Sequence, residues 1–146
     1  MLALDPANPV VALCAAGMQL EGEPDKARPL FEQAWSTRSN DLEASIAAHY
    51  LARHQESAAD RLHWNAIALR HADALPVGEA RDLLPSLCLN LADSLLALGR
   101  ADEARAIAHR GRATLDALAP DGYSAFLRLG FERLHERLGA TSSVEG

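Results

Sequence analysis

The chain has 146 residues and a formal net charge of −6, and 49% of its residues are apolar. This length and apolar content suffice for one folded domain with a buried core. The negative charge argues against a general nucleic-acid binder, and no segment approaches the ~18 consecutive apolar residues of a membrane span.

Aromatic residues make up only 5% of the chain, and good helix formers dominate it, so we expect an all-α fold. Apolar residues recur at helical spacing along almost the whole chain. In chain order, the predicted helices cover about residues 9–20, 24–37, 42–54, 57–73, 79–98, 100–119 and 123–138. Pro85 falls inside the fifth segment, where it either kinks the helix or marks its true start.

Two of the joints between these segments share the pattern G-x-x-D-[EK]-A-R, as GEPDKAR at Gly22 and GRADEAR at Gly99, 77 residues apart. Each glycine is predicted to end a helix, Gly22 as a left-handed stop. The acidic residue is predicted to begin the next helix, and Ala27 and Ala104 to let the paired helices touch. The repeated motif therefore indicates a joint between helices and no catalytic site.

The 77-residue shift also places apolar residues on apolar ones, such as Cys14 on Leu91, and small residues on small ones, such as Ala34 on Gly111. A shift of 34 residues from the first pair reaches another pair of helices. On these joints and this period, the chain resembles the tetratricopeptide-repeat family. The resemblance implies a right-handed α-solenoid of about three antiparallel helix-pair repeats, with a C-terminal capping helix.

A single domain over residues 1–138 is then expected. It would hold repeats near residues 8–41, 42–75 and 85–118 and a cap helix over 122–138, followed by a disordered tail over 139–146. The family places small residues where the helices of a repeat cross, and the first and third repeats comply at Ala15, Ala27, Ala92 and Ala104. The middle repeat has His49 and Arg61 instead, which predicts wider helix spacing there.

No motif in the chain predicts catalysis or metal binding. The histidines do not share the spacing of a common metal site, and Glu132-x-x-His135 is only half of a di-iron motif. Cys14 and Cys88 form no C-x-x-C pair and are predicted to be buried free thiols. We therefore expect no enzymatic activity, no metal and no cofactor.

The family resemblance implies a concave groove lined by the first helices of successive repeats. The residues expected to line it are Glu43, Ile46, Tyr50, Arg53, Leu89, Asn90 and Asp93. Tyr50 and Arg53 lie three residues apart on one helix face, and both residue types are common interface anchors. We expect a cytoplasmic, non-catalytic scaffold that binds a protein or peptide in this groove, and that binds neither nucleic acid nor a membrane.

A second interpretation stays open. The polar residues at the middle crossing favour a ligand-sensing or regulatory homodimeric subunit, with a small-molecule pocket near His49, Tyr50 and Arg61. Trp64 is expected to pack between repeats. The cap helix has more apolar residues than one buried stripe needs, which favours a homodimer through that helix. These residues are Phe126, Leu127, Leu129, Phe131, Leu134 and Leu138.

Overall fold

The computed structural model describes residues 5–145, with side chains over residues 5–140. These residues form helices and no strand, which confirms the all-α prediction for this part of the chain. The helices are α1 (Pro9–Gln19), α2 (Pro24–Thr37), α3 (Asp41–Arg53), α4 (Ala58–Asp73), α5 (Val77–Ala80), α6 (Leu84–Ala97), α7 (Ala101–Leu115) and α8 (Gly122–Glu145). None of them is both long and apolar enough to cross a membrane. They form two compact units, residues 5–76 and residues 77–145.

The first four helices begin and end within about one residue of the predicted bounds, whereas the later ones differ. The fifth predicted segment divides into α5 and α6, because Pro85 lies in the first turn of α6, where its missing N–H is tolerated. Helix α7 ends at Leu115, before the predicted end at Ala119. Helix α8 continues past Leu138 to Glu145, into the predicted tail, since no proline follows to interrupt its hydrogen bonds. Residue 146 lies outside the described residues.

Side-chain caps fix the starts of α1, α3 and α4. The Asn8 carboxamide oxygen accepts hydrogen bonds from the backbone N–H groups at the start of α1. The Asn40 oxygen accepts from the Glu43 N–H at 2.9 Å, and the Ser57 hydroxyl accepts from the Asp60 N–H at 3.0 Å. The caps predicted from the SND segment and from Ser57 are therefore confirmed.

The two joints with the shared motif have different backbone geometry. Gly99 is left-handed, with φ of 75°, and the Arg100 N–H donates to the Leu95 carbonyl at 3.0 Å, as in a Schellman motif. Gly99 is the only described residue with positive φ, so the prediction of a left-handed Gly22 is wrong. Four residues, 20–23, separate α1 from α2, and this longer joint turns without a left-handed residue.

Aromatic side chains fill the interior of the first unit. Phe31 of α2 is fully buried and stacks on Tyr50 of α3, with 5.3 Å between ring centroids. A Cβ atom on Gly17 of α1 would lie 2.4 Å from the Phe31 ring, so this glycine makes room for it. Trp35 meets Trp64 of α4 edge-on at 5.0 Å, which confirms that Trp64 packs between the first two helix pairs. We call Phe31, Trp35, Tyr50 and Trp64 the aromatic seam.

Polar contacts also hold α4 against α3 in this unit. The buried Ser45 hydroxyl donates to the Ala68 carbonyl at 2.9 Å. His71 Nδ1 lies 2.8 Å from Asp41 Oδ1. These bonds hold α4 against α3, and Trp64 and His71 of α4 reach the Trp35 ring of α2.

Glycines allow close helix packing in the second unit. A Cβ atom on Gly111 of α7 would lie 2.6 Å from the Cys88 Cβ of α6 and 2.7 Å from the Phe131 ring of α8. A Cβ on Gly130 of α8 would lie 2.7 Å from a methyl group of Leu89. In this unit the aromatic ring against the glycine comes from α8, and not from α7, the helix that corresponds to α2.

Three of the four predicted crossing alanines are fully buried: Ala27, Ala92 and Ala104. Ala15 is exposed, so its predicted place at a helix crossing is wrong. The close approach of α1 to α2 occurs instead at Gly17, which lies on a different face of α1.

Candidate functional site

Two of the residues predicted to line a groove are part of the interior of the first unit. Ile46 and Glu43 are buried, with exposed fractions of 3% and 7%. Glu43 accepts hydrogen bonds from Asn8 Nδ2 at 2.9 Å and from the Ser39 N–H at 2.8 Å. The Asn8 bond lowers the pKa of the Glu43 carboxyl, against the opposing effect of burial. Glu43 therefore links the start of α1 to the loop between α2 and α3.

Tyr50 and Arg53 lie on one side of α3, as predicted, and both already have partners within the chain. Tyr50 is half-buried by its stack on Phe31. Arg53 Nη2 donates to Glu21 Oε2 at 2.7 Å, and its guanidinium lies 5.9 Å from the Tyr50 ring centroid. Arg53 stays exposed, so it is the accessible member of the pair.

The three predicted residues of the second unit are Leu89, Asn90 and Asp93. Leu89 packs against Gly130, and the Asp93 carboxylate accepts a hydrogen bond from Arg137. Asn90 is half-buried. Leu89 and Asp93 thus lie against α8, and the seven predicted residues are divided between the two compact units.

The polar residues of the middle helix pair have structural contacts. Burial, and then the charge of Arg53, lower the pKa of the half-buried His49 to about 4, so this imidazole is neutral at pH 7. Arg61 Nη1 donates to the carbonyls of Gln55 at 3.2 Å and Glu56 at 2.9 Å. Arg61 therefore stabilises the turn between α3 and α4.

A groove of about 680 Å³ lies between α7 and α8, and the sequence analysis missed it. Its floor is apolar, and is formed by Ala108, Leu115, Phe131 and Leu138. Its rim is polar and includes Arg105, His109, Arg112, Asp116, Arg128, Glu132 and His135. We call this surface the α7–α8 groove. An apolar floor with a polar rim is the usual composition of a surface that binds a peptide or a helix.

The groove exists because α7 carries smaller and more polar side chains than α2 at the positions 77 residues apart. Phe31 of α2 corresponds to Ala108, and Trp35 corresponds to Arg112. Ala108 is smaller than the phenyl ring at the corresponding position of the aromatic seam, and Arg112 stands where Trp35 receives Trp64. A sequence signal for the groove was present in the alignment of positions 77 residues apart. Large apolar residues of α2 correspond there to a small or charged residue of α7.

Three arginines line the α7–α8 groove, and their pairing differs. Arg105 Nη2 donates to the Leu138 carbonyl at 3.1 Å, and Arg128 Nη1 lies 3.2 Å from Asp116 Oδ1. Arg112 is exposed and has no hydrogen bond or ion pair with any residue that the structure describes. Its guanidinium is therefore available to an incoming carboxylate.

The chemistry of metal sites and nucleophiles gives no second candidate. Among residues 5–140, no three His, Cys, Asp or Glu side chains are grouped as metal ligands would be. Cys14 and Cys88 are buried and form no disulfide, as predicted. Burial raises the pKa of the Cys14 thiol to about 12, which disfavours the nucleophilic thiolate.

Two apolar side chains of α8 are exposed, Phe126 with a fraction of 71% and Leu129 with 44%. The predicted apolar surplus of this helix is therefore real at these positions. The homodimer through α8 that it favours stays a prediction.

Comparison with known proteins gives no relative from which a function could be transferred. No protein-family model, curated protein or solved structure matches the chain. The function is therefore inferred from the surfaces of the chain itself, and the α7–α8 groove is the best developed of these.

Proposed function

We propose that the protein is a non-catalytic interaction module that binds a protein or peptide partner, with tetratricopeptide-like helix pairs as its scaffold. The α7–α8 groove is the observation that supports this function. Its volume of about 680 Å³ is typical of binding sites, and its apolar floor provides the buried centre that an interface needs.

The shape of the groove favours a peptide segment over a compact small molecule. Its lining residues on α7 run from Arg105 to Asp116, which is about 16 Å along a helix at 1.5 Å per residue. A partner segment of about three helical turns can lie along that length. It would place its apolar side chains on the floor and its polar ones at the rim.

The surface around Tyr50 and Arg53 is a weaker candidate for the same function. Tyr50 gives part of its ring surface to Phe31, and Arg53 is paired with Glu21. A ligand that used Arg53 would first have to displace an existing carboxylate. We therefore assign the binding function to the α7–α8 groove.

Selection from a displayed library of 16-residue peptides on the full chain tests this function. The control is Ala108→Phe, which restores on α7 the ring that α2 carries and fills the groove floor. A second control, Ala113→Trp, blocks the exposed rim without changing a buried position. Circular dichroism and thermal unfolding establish that both variants are folded.

We expect the selected peptides to bind the wild-type chain and to lose binding to both filled variants. Selected peptides that bind the wild type and the variants equally would move the binding surface away from the α7–α8 groove. A selection that enriches no peptide over an unrelated helical protein would contradict the interaction-module function itself.

A further inference from the structure

We propose that the partner segment bound in the α7–α8 groove is an acidic amphipathic α-helix from another protein. This inference rests on the proposed function and adds the conformation and the charge of the partner. Two observations support it: the helix that covers the equivalent surface of the first unit, and the cations along the α7 side of the groove.

The first unit indicates that the partner segment in the α7–α8 groove is helical. Helix α4 packs against α3 there, with the Ala68 carbonyl bonded to Ser45, and its Trp64 lies against Trp35 of α2. Arg112 of α7 occupies the position that corresponds to Trp35. Among the described residues, α8 is the last helix, and the α7–α8 groove carries no helix in the place that α4 has in the first unit. Helix α4 has 16 residues, which is about 24 Å, so about three of its turns would span the groove.

The basic side chains of α7 indicate that the partner segment is acidic. Arg105, His109 and Arg112 are spaced at i, i+4 and i+7, so they form one row along the α7 wall. The only carboxylate lining the α7 side is Asp116, and it is bonded to Arg128 across the groove. A helix with glutamates facing α7 therefore meets the guanidinium groups of Arg105 and Arg112, with the His109 imidazole between them.

The remaining charges at the groove do not cancel this row. Arg105 is also paired with Asp102, but that carboxylate is 98% exposed, and such surface pairs contribute little free energy. Glu132 lies on the opposite wall, on α8. The α7 wall is therefore cationic and the α8 wall is mixed, which sets the expected orientation of the partner's acidic face toward α7.

Fluorescence anisotropy with two designed 16-residue helical peptides tests this inference. Both peptides carry Leu and Trp at i, i+3, i+4 and i+7. One has Glu at the flanking positions, and the other has Lys at every one of those positions. Each fluorescein-labelled peptide is titrated with the full chain at low and at physiological salt, and with the variants Arg112→Glu and Arg133→Glu. Arg133 is the matched control, because it is exposed on α8 and does not line the groove.

We expect the Glu peptide to bind at least about tenfold more tightly than the Lys peptide at low salt, with the difference reduced by added salt. Arg112→Glu should weaken Glu-peptide binding about fivefold or more, and Arg133→Glu should leave it nearly unchanged. Equal binding of the two peptides, or a preference for Lys, would overturn the acidic partner while leaving the groove as a binding surface.

Failure of the inference and failure of the proposed function give different results. If neither designed peptide binds, but the library yields peptides that require the open groove, the acidic helix is wrong and the proposed function stands. If neither the designed peptides nor the library yields binding to the groove, the proposed function fails as well.

Discussion

The aromatic seam and the α7–α8 groove occupy corresponding positions of two related helix sets and have opposite properties. In the seam, Phe31 and Trp35 project from α2 and are covered by α3 and α4. At the corresponding positions of α7, Ala108 lies in the floor of the groove and the exposed Arg112 lies at its rim. Two differences of side-chain size and polarity thus distinguish a filled core from the α7–α8 groove.

The position of the aromatic ring explains how the second unit stays packed without a phenylalanine on α7. In the first unit, Phe31 of α2 fits against Gly17 of α1. In the second unit, Phe131 of α8 fits against Gly111 of α7. The ring that fills the core of the second unit therefore comes from α8, whereas in the first unit it comes from α2. Helix α7, which corresponds to α2, can therefore carry Ala108 at the groove floor.

The largest expected effect is on the seam, from Phe31→Ala. Removing a fully buried ring that stacks on Tyr50 leaves a cavity, and such changes cost about 3–5 kcal/mol of unfolding free energy. Urea denaturation followed by circular dichroism measures the loss. The matched control is Phe126→Ala, because Phe126 is exposed and should cost no more than about 0.5 kcal/mol. Equal losses for the two variants would contradict the filled-seam description.

Acid should weaken the first unit through His49. The folded pKa of about 4 is below the ordinary 6.5, so the unfolded chain binds the extra proton. The contribution of neutral His49 to the free energy of unfolding is therefore fully present above pH 6.5. It falls by up to about 3 kcal/mol as the pH is lowered toward 4. Glu43 acts in the same direction below its ordinary range, since its pKa is also lowered. Urea denaturation over this pH range measures the slope.

The control for the acid effect is a pair of histidine substitutions. His49→Gln should flatten the pH dependence between 6.5 and 4, whereas His63→Gln, at an exposed position of α4, should retain it. A slope that survives in His49→Gln would assign the acid effect to other groups.

A smaller effect is expected in the second unit from Gly111→Ala. The added methyl group would overlap both Cys88 and Phe131, and overpacking of this kind costs about 1–3 kcal/mol. Thermal unfolding measures the loss, with Gly78→Ala as the control, because nothing lies within 4 Å of a Cβ there. Unchanged stability in Gly111→Ala would mean that α7 and α8 are less closely packed than described.

The smallest effect separates the two joints. Gly99 is left-handed, so Gly99→Ala should cost about 1 kcal/mol. Gly22 has no positive φ and open space around it, so Gly22→Ala should be neutral or should stabilise by up to about 1 kcal/mol. Differential scanning calorimetry of both variants compares them. Equal destabilisation would show that the two motifs form the same joint.

The sequence was sufficient for the helices, since their caps, prolines and apolar spacing are local signals. The caps at Asn40 and Ser57 and the stop at Gly99 are such cases. Gly22 was mispredicted because the same motif occurs in a joint one residue longer. Glu43 and Ile46 were predicted for a binding surface, but their burial depends on how α1 and α4 pack around α3, which spacing on one helix does not specify.

The α7–α8 groove was missed for a related reason. It depends on which of two helices supplies the aromatic ring, a property of tertiary packing that neither Ala108 nor Phe131 reveals alone. The 77-residue alignment places Arg112 at the position that corresponds to Trp35. This difference indicates a groove only once Trp64 of α4 is known to pack against Trp35.

Hydrogen–deuterium exchange of the full chain, with and without the designed Glu peptide, tests the central claim most directly. We expect slower amide exchange in α7 and α8 around Arg112 and Phe131 when the peptide is bound, and no change in the aromatic seam. Protection confined to α3 around Tyr50 and Arg53, with α7 and α8 unchanged, would contradict it.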